Sequence, residues 1–392
     1  MGGEPSVAVY EARAREWMNR RSRNYDDRLE RFAARLAADT EARADGGRPG
    51  NNQAAGEHPP GRATERRTGL SVPAGDKPVA DLGCGPGWHL GGLPSPVLAL
   101  DASRAMLAEA TAAAGGDGPL RVAADLRALP LRDRCLRAAW ASRSYIHLAR
   151  AEVPLALADL HRTLEPGAPV ELHLFEGDTE WDERADDDFP GRRFSRWPED
   201  WLRDVLAGGG LAVEDIEHRD GMLLIAATRL QTLADTVAPN MRMLICGLNP
   251  SLAAAAAGVG FAGAANRFWP AARAAELVSR DRDPRHALTA HSVGMTDLVK
   301  RPTRRAAELT AAEYAAGLAR LERLAERLAP GVVCFVGLAG WRAVLDRRAT
   351  PGPQPRRISG RPAYLMPSTS GLNARTSLAE LTAHLRAAAA LR

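Results

Sequence analysis

Apolar residues recur at helical spacing among many charges over residues 7 to 37 (VAVYEARAREWMNRRSRNYDDRLERFAARLA), which predicts one or two amphipathic helices. The pattern then lapses. Residues 39 to 77 are polar, rich in Gly and Pro and poor in apolar positions, and they read as a disordered insertion. From residue 78 short apolar runs alternate with helical stretches. Strands are expected at PVADLG, VLALDA, RVAAD, LRAAWAS and VELHLFE, with helices at SRAMLAEATAAA and RAEVPLALADLHRTL between them. After a helix at PEDWLRDVLAGG, the runs LAVEDIEHRD and MLLIAATR look like a closing hairpin through Asp220 and Gly221. A fresh helix at TLADTVA is expected to lead into MRMLICGLN, and the alternation restarts with VGMTDLV, GVVCFVG and PAYLMPS. Such alternation argues for parallel α/β sheets. The organisation expected is N-terminal helices over 1–38, the insertion over 39–77, one α/β domain over 78–229 and a second over 230–392. A chain of 392 residues has room for two cores.

No apolar run is long enough to span a bilayer, and the N-terminus lacks the basic start and apolar centre of a signal peptide. A soluble, cytoplasmic protein without membrane contact is therefore expected. Cys84, Cys135, Cys246 and Cys334 are scattered and form no CxxC pair, which suggests reduced thiols and no metal site. The net charge of +4 conceals an asymmetry: from residue 230 onward 22 Lys and Arg face 11 Asp and Glu, whereas residues 1–229 hold 30 and 37. The basic half is the candidate for a polyanionic partner. Only Lys77 and Lys300 are lysines, and a GC-biased genome is a competing explanation for the arginine richness. That bias does not place the basic excess in one half.

The run DLGCGPG ends the first strand of the series in Asp81 and sets Gly83, Gly85 and Gly87 at alternate positions. Glycines there let the backbone turn tightly and approach a ligand with no Cβ in the way. The second strand ends in Asp101, followed by Ala102, where a carboxylate can accept both hydroxyls of a ribose. The third ends in Asp125, followed by Leu126, and this acid can accept from an exocyclic amine. Three acids at the carboxyl ends of three successive strands describe a nucleoside site at the mouth of an open sheet. The glycine spacing departs from the dinucleotide pattern G-x-G-x-x-G.

Residues 78–229 resemble class I S-adenosylmethionine-dependent methyltransferases, which share the DLGCGPG loop and the acids after the second and third strands. The resemblance implies a Rossmann-like, mostly parallel sheet with a closing antiparallel strand, and S-adenosyl-L-methionine as cofactor. It also implies a binding set of Asp81, Gly83, Gly85, Gly87, Asp101, Ala102, Asp125 and Leu126, with Asp101 on the ribose and Asp125 at the adenine edge. The methyl acceptor is unknown: ASRSYIHL, after the fourth strand, carries neither the Asp-or-Asn, Pro, Pro, aromatic motif of base-amino methyltransferases nor a Pro-Cys nucleophile. Tyr145 and His147 read as packing residues, with a base as the alternative role. WHLGGLPSP is short for a helix and broken by glycines and prolines, so an open cofactor pocket is expected.

Four segments of the basic half group together: GLNPS at the end of its first strand, GFAGAANRFW at 260–269, GMTDLVKRPT at 294–303 and MPSTSGLNAR at 366–375. Two strand ends carrying polar turns put their side chains on one rim of a sheet, where α/β proteins build sites. Asn249 cannot ionise, but its carbonyl oxygen can accept a hydrogen bond and hold a water. That suits a transition state already positive at carbon, as in hydrolysis of an N-glycosidic bond. Pro250 stiffens the turn, Phe261 can stack on a flat base, and backbone N–H groups can receive the negative charge of a departing pyrimidine.

These residues resemble the mismatch-specific uracil-DNA and thymine-DNA glycosylases, with GLNPS, ANRFW, LVKRPT and MPSTSGLN in the family's order from about Thr232 to Arg392. The resemblance implies a uracil-DNA-glycosylase-like three-layer α/β domain in which Asn249 is catalytic and positions the attacking water. Gly247, Leu248, Pro250, Ser251 and Phe261 would form the base pocket. Gly371 and Leu372 would enter the duplex as a wedge, with Ser368, Ser370 and Arg375 on phosphates. Ser251 stands where the family often has glycine, and Asp297 where some relatives have a basic residue. With no histidine in the second motif and no aspartate base expected, turnover should be slow. Asn266, Arg267 and Trp269 read as residues that pin a loop, and Arg347, Arg348, Arg356 and Arg357 as part of a loosely ordered Pro-rich loop.

The expected protein is a fusion. Its glycosylase half removes uracil, with thymine and modified pyrimidines as further candidates, from mispairs with guanine in base excision repair. The other half transfers methyl groups to an unknown acceptor. The expected partner is double-stranded DNA with G:U or G:T mispairs; a monomer in the cytoplasm, nucleoid-associated when acting on DNA, is expected, with no metal and no glycosylase cofactor. Two rivals stand beside it. The C-terminal half only binds damaged or mismatched DNA, or the N-terminal half only senses S-adenosylmethionine.

Overall fold

The computed structural model describes residues 5–20, 26–44, 77–114, 118–180 and 187–391. Two helices come first, α1 (Pro5–Arg20) and α2 (Asp26–Ala44). On α2, Leu29, Phe32 and Leu36 recur at three and four residues and are buried with Val79, Val97 and Trp140. The amphipathic pattern thus covers one face of a sheet. Helix α2 continues through Ala44, into the stretch expected as an insertion, and residues 45–76 lie outside the described residues.

Strands β1 (Val79–Leu82), β2 (Val97–Asp101), β3 (Leu120–Ala123), β4 (Ala138–Ser142), β5 (Pro169–Glu176), the two-residue β6 (Arg196–Trp197), β7 (Leu211–Arg219) and β8 (Met222–Arg229) make the first sheet. Its order is β3-β2-β1-β4-β5-β8-β7, with β6 paired to β5. Strands β3, β2, β1, β4 and β5 run parallel and β8 runs antiparallel to β5. The chain order reverses at β1, which opens a crevice at the carboxyl ends of β1, β2 and β4. Helices α3 (Arg104–Ala114), α4 (Val153–Thr163) and α5 (Glu199–Gly208) lie between strands in the sequence. The expected hairpin turns through Asp220 and Gly221, both at positive φ (53° and 70°), the backbone of a two-residue turn between antiparallel strands. After DLGCGPG only one 3-10 turn forms, Leu90–Gly92.

The second sheet comprises β9 (Met243–Gly247), β10 (Val293–Asp297), β11 (Val333–Val336), β12 (Gly352–Ile358) and β13 (Arg361–Met366), in the order β10-β9-β11-β13-β12. Only β12 is antiparallel. Around it run α6 (Leu252–Ala257), α7 (Phe268–Ala274), α8 (Pro284–His291), α9 (Ala311–Leu328), α10 (Leu338–Val344) and α11 (Leu378–Ala390). Alternate strand residues divide between two cores: Met243, Ile245, Cys334 and Met366 pack with α7 and α11, and Leu244, Cys246, Phe335 and Leu365 with α9 and α10. That period of two makes three layers. Thr310 with Glu313 and Ser377 with Glu380 form capping boxes that start α9 and α11.

The chain divides into two compact units: residues 1–150, 162–199 and 213–229 in the first, and 151–161, 200–212 and 230–392 in the second. Two local expectations fail in the second unit. TLADTVA is not helical; Thr236 instead bridges Met295, and Asp235 turns inward to Lys300 and Arg320. The Pro-rich stretch expected as a loop contains strand β12, whose Pro353 and Pro355 are tolerated because the strand is an edge paired on one side only. Among the described residues no helix is long and apolar enough to cross a membrane, and no group of three His, Cys, Asp or Glu is placed to hold a metal. All four cysteines are free thiols.

Candidate functional sites

In the first unit the glycine loop leaves β1 at Asp81. Gly83, Gly85 and Gly87 all have positive φ, at 70°, 53° and 83°, which L residues with a Cβ resist. The N–H groups of Gly83 and Cys84 both donate to Leu100 O, and Gly85 N–H donates to Asp101 Oδ2 at 2.8 Å. Asp101 Oδ1 accepts from Ser103 N at 2.8 Å. The acid at the end of β2 therefore holds the loop and the start of α3 together. Burial raises its pKa while those backbone donors lower it, and the carboxyl ends above its ordinary value.

A cavity of about 850 Å³ opens above this loop, lined by Gly83, Gly85, Asp101, Ala102, Asp125 and Leu126 among others. A Cβ on Gly83 would collide with Ser144 Cβ, and one on Gly85 would meet only open space. The two other expected binding residues sit elsewhere. Gly87 packs on α3, where a Cβ would come within 2.6 Å of Leu90 and 3.0 Å of Ala110. Asp81 is buried beneath the loop, with Oδ2 lacking a hydrogen-bond partner among the described residues; burial and the neighbouring Asp101 push its carboxyl up to about 8. Asp125 lines the cavity, yet Arg127 grips it with Nε at 2.9 Å and Nη2 at 2.6 Å. A ligand amine at that edge shares the carboxylate with a guanidinium.

Helix α1 supplies cavity walls that no local pattern foretold. Trp17 stacks on Trp88 (4.7 Å, 20°), and Glu11 accepts from Ser103 Oγ and Ala105 N at the start of α3. Tyr10 lines the cavity beside His147. His147 Nδ1 faces Arg193 O at 2.9 Å, and a carbonyl only accepts, so Nδ1 carries the proton and Nε2 accepts from Tyr10 Oη at 2.9 Å. Burial lowers the imidazole to about 4, which keeps it neutral. His147 therefore faces the cavity, whereas Tyr145 is buried away from it.

In the second unit β9 and β10 stay zipped past their strand ends: Leu298 N donates to Gly247 O, Val299 N to Leu248 O and Thr303 N to Pro250 O. This pairing brings GLNPS beside DLVKRPT. Asn249 Nδ2 donates to Arg301 O at 2.9 Å and Thr303 Oγ1 at 2.8 Å. A carbonyl partner accepts only, so the amide has one orientation and Oδ1 is turned away from these contacts. Phe261 is half-buried, at φ 57°, with its ring stacked on buried Phe268 (4.2 Å, 23°) and 3.6 Å from where a Gly247 Cβ would sit.

Asp297, at the end of β10, faces the same turn. Its Oδ1 occupies the space of a Gly247 Cβ, so the carboxyl stands against the strand end that leads into Asn249. Burial and Asp235 raise its pKa, Lys300 and Arg320 lower it, and it lies near 6. The signal in the sequence for this carboxyl's place is the strand pairing that sets TDLV against CGLN. Two expected pocket residues have packing duties: Leu248 lies against Gly340, and Ser251 Oγ caps α6 through Ala254 N.

Strands β9, β11 and β13 are parallel, so MPSTSGLN emerges on the same rim as Asn249. Leu372 is 97% exposed and projects alone from this loop. Arg267 ties the loop down, donating to the carbonyls of Ser370, Asn373 and Thr376. Gly371 lies against Ala265, where a Cβ would come within 2.6 Å. Ser368 and Ser370 are half-buried at the loop base, and Arg375 is exposed.

Residues 234–392 match the family model of the uracil DNA glycosylase superfamily, and residues 79–167 match that of a methyltransferase domain. Solved structures similar to this chain include an S-adenosylmethionine dependent methyltransferase from Mesorhizobium loti, 24% identical over 41% of this chain and 94% of that one, with a TM-score of 0.35. Another is a SAM-dependent methyltransferase from Methanosarcina mazei, 18% identical over 40% and 93%, with a TM-score of 0.33. A third is magnesium protoporphyrin IX methyltransferase from Synechocystis, 16% identical over 58% and 98%, with a TM-score of 0.35.

Proposed function

We propose that this chain, an α/β protein joining a methyltransferase-type domain to a uracil-DNA-glycosylase-type domain, hydrolyses the N-glycosidic bond of uracil mispaired with guanine in duplex DNA. The observation that carries the reading is the fixed amide of Asn249. With Nδ2 committed to Arg301 O and Thr303 Oγ1, Oδ1 is the only polar atom of the side chain left to hold a water. A held water loses little further entropy on attack, which suits an oxocarbenium-like transition state. Phe261 stacks on the extruded pyrimidine, Leu372 fills the space it leaves in the duplex, and Ser368, Ser370 and Arg375 contact phosphates. Ionised Asp297 takes the proton of the attacking water.

Two measurements test this. Base release from duplexes carrying G:U, G:T, A:U and etheno-cytosine should be detectable for G:U; release from none of them overturns the assignment. Under single turnover the rate should climb as pH rises through about 6, where Asp297 ionises, and then level off. Asp297→Asn should flatten that rise and lower the plateau by roughly 10²-fold. A wild-type rate that is flat across the interval excludes Asp297 as the base.

We also infer that the first domain binds S-adenosylmethionine and methylates an acceptor of unknown class. Asp101 would hold the ribose hydroxyls, Gly83 and Gly85 would admit the ligand close to the backbone, and Asp125 and Leu126 would border the adenine. The bound cofactor would supply an electrophilic methyl group. His147 and Tyr10 present an oriented hydrogen-bond pair at the cavity wall. Gly83→Ala places a Cβ on Ser144 and strains a positive φ, so calorimetry with S-adenosylhomocysteine should show at least roughly tenfold weaker binding. Equal affinity would place the ligand away from this loop, and no heat with wild type would remove both the enzyme and the sensor readings.

A further inference from the structure

Four exposed arginines lie within one short stretch, Arg347, Arg348, Arg356 and Arg357, and the register of β12 separates them into two pairs. Strand β12 is antiparallel to β13, with Gly352 opposite Leu365 and Ile358 opposite Arg361. The start of β12 therefore lies at the end of the sheet where β13 delivers MPSTSGLN. Its far end lies at the opposite edge. Arg347 and Arg348 lie in the loop that leads, five and four residues on, into the rim end of β12, whereas Arg356 and Arg357 lie near its other end.

The loop carrying Arg347 and Arg348 is held in shape. Arg342 donates to Ala349 O through Nε (3.0 Å) and Nη2 (2.7 Å), Asp346 Oδ1 accepts from Arg348 N at 2.8 Å, and Ala349 is buried. Both residues are exposed, and neither has an ion pair or side-chain hydrogen bond among the described residues; Asp346 is the one acid next to them in the sequence. Four other arginines of this unit are neutralised: Arg301 by Glu313, Arg323 and Arg327 by Asp204, and Arg356 by Glu322. Arg357 spends its Nε on Gly360 O.

We propose that Arg347 and Arg348 extend the DNA-contacting rim by binding backbone phosphates that flank the extruded nucleotide on duplex DNA. This rests on the glycosylase reading of the second domain. Along the sheet, β12 lies three strand spacings from β9, roughly 14 Å, so the contacts fall on the flanking backbone and leave the base pocket untouched. A preformed loop adds these contacts with little ordering cost. Contacts of this kind carry no sequence information and release condensed counterions.

The test is fluorescence anisotropy of the full chain on labelled matched and G:U duplexes across a salt series, with uracil release by wild type followed separately on the G:U duplex. Arg347→Ala/Arg348→Ala should reduce the steepness of log affinity against log salt by about 1.8 on both duplexes, since each phosphate contact contributes about 0.9. Arg356→Ala/Arg357→Ala removes the same formal charge and should leave the slope unchanged. An unchanged slope in the first pair overturns the proposal, as does an equal fall in both pairs or an absence of duplex binding by wild type. Loss of slope in the first pair alone, with no uracil released by wild type, upholds the surface and removes the glycosylase reading.

Discussion

Asn249→Ala is expected to slow single-turnover uracil release from a G:U duplex by roughly 10²–10³-fold, about 3–4 kcal/mol of barrier, while duplex affinity stays within about twofold. The methyl side chain keeps the turn, because Pro250 and the zipped strands fix its backbone. What disappears is the carbonyl that holds the water. Asn249→Asp sharpens the point: a carboxylate has no N–H to give Arg301 O, so it faces a carbonyl with like partial charge and loses the fixed orientation. Both variants should be slow. Wild-type release rates in Asn249→Ala would remove Asn249 from the mechanism.

Asp235→Ala is expected to destabilise the second unit by about 3–5 kcal/mol, because it strands buried cations. Asp235 accepts from Lys300 Nζ (2.8 Å), Thr296 Oγ1 (2.7 Å) and Arg320 Nη1 (2.7 Å), and Arg320 also donates to Asp297 O at 2.8 Å. Arg320 and Asp235 are both buried. Burial alone would raise the Asp235 pKa; the charges of Arg320 and Lys300 outweigh it and hold the carboxyl below its ordinary value. A depressed acid contributes its stabilisation above the unfolded pKa of about 3.9 and loses it as pH falls through the folded value. The gap between wild type and variant should therefore be full near neutrality and narrow in acid. Hydrogen exchange of β9 and β10 amides at neutral pH reads it directly; a loss under about 1 kcal/mol would mean the cations find water instead. Because Arg320 also holds Asp297 O, base release should fall alongside stability.

The legible parts of this protein were those whose cause is local. DLGCGPG and GLNPS are strand ends running into turns, and glycine or proline at fixed offsets announces such turns within a few residues. Asp220 and Gly221 announced their hairpin for the same reason. TLADTVA misled because helix preference over seven residues is weak, and a buried ion network claimed Asp235 at positions as distant as Arg320. Strand β12 was hidden by its prolines, which only an edge position excuses. Tyr10 and Trp17 reach the first cavity from α1, far from the glycine loop in sequence, and no spacing rule connects them.

The amino-acid sequence by itself determined the two α/β domains, the identity of the turn residues and the side of the chain that carries positive charge. These follow from periodicity, backbone preference and composition, all short-range properties. Only the tertiary structure decided which way the Asn249 amide faces, that Asp297 stands against Gly247, and which end of β12 lies at the rim that carries Leu372. Each depends on strand register, and register is set by contacts between residues tens of positions apart, where a shift of one residue moves every side chain to the other face.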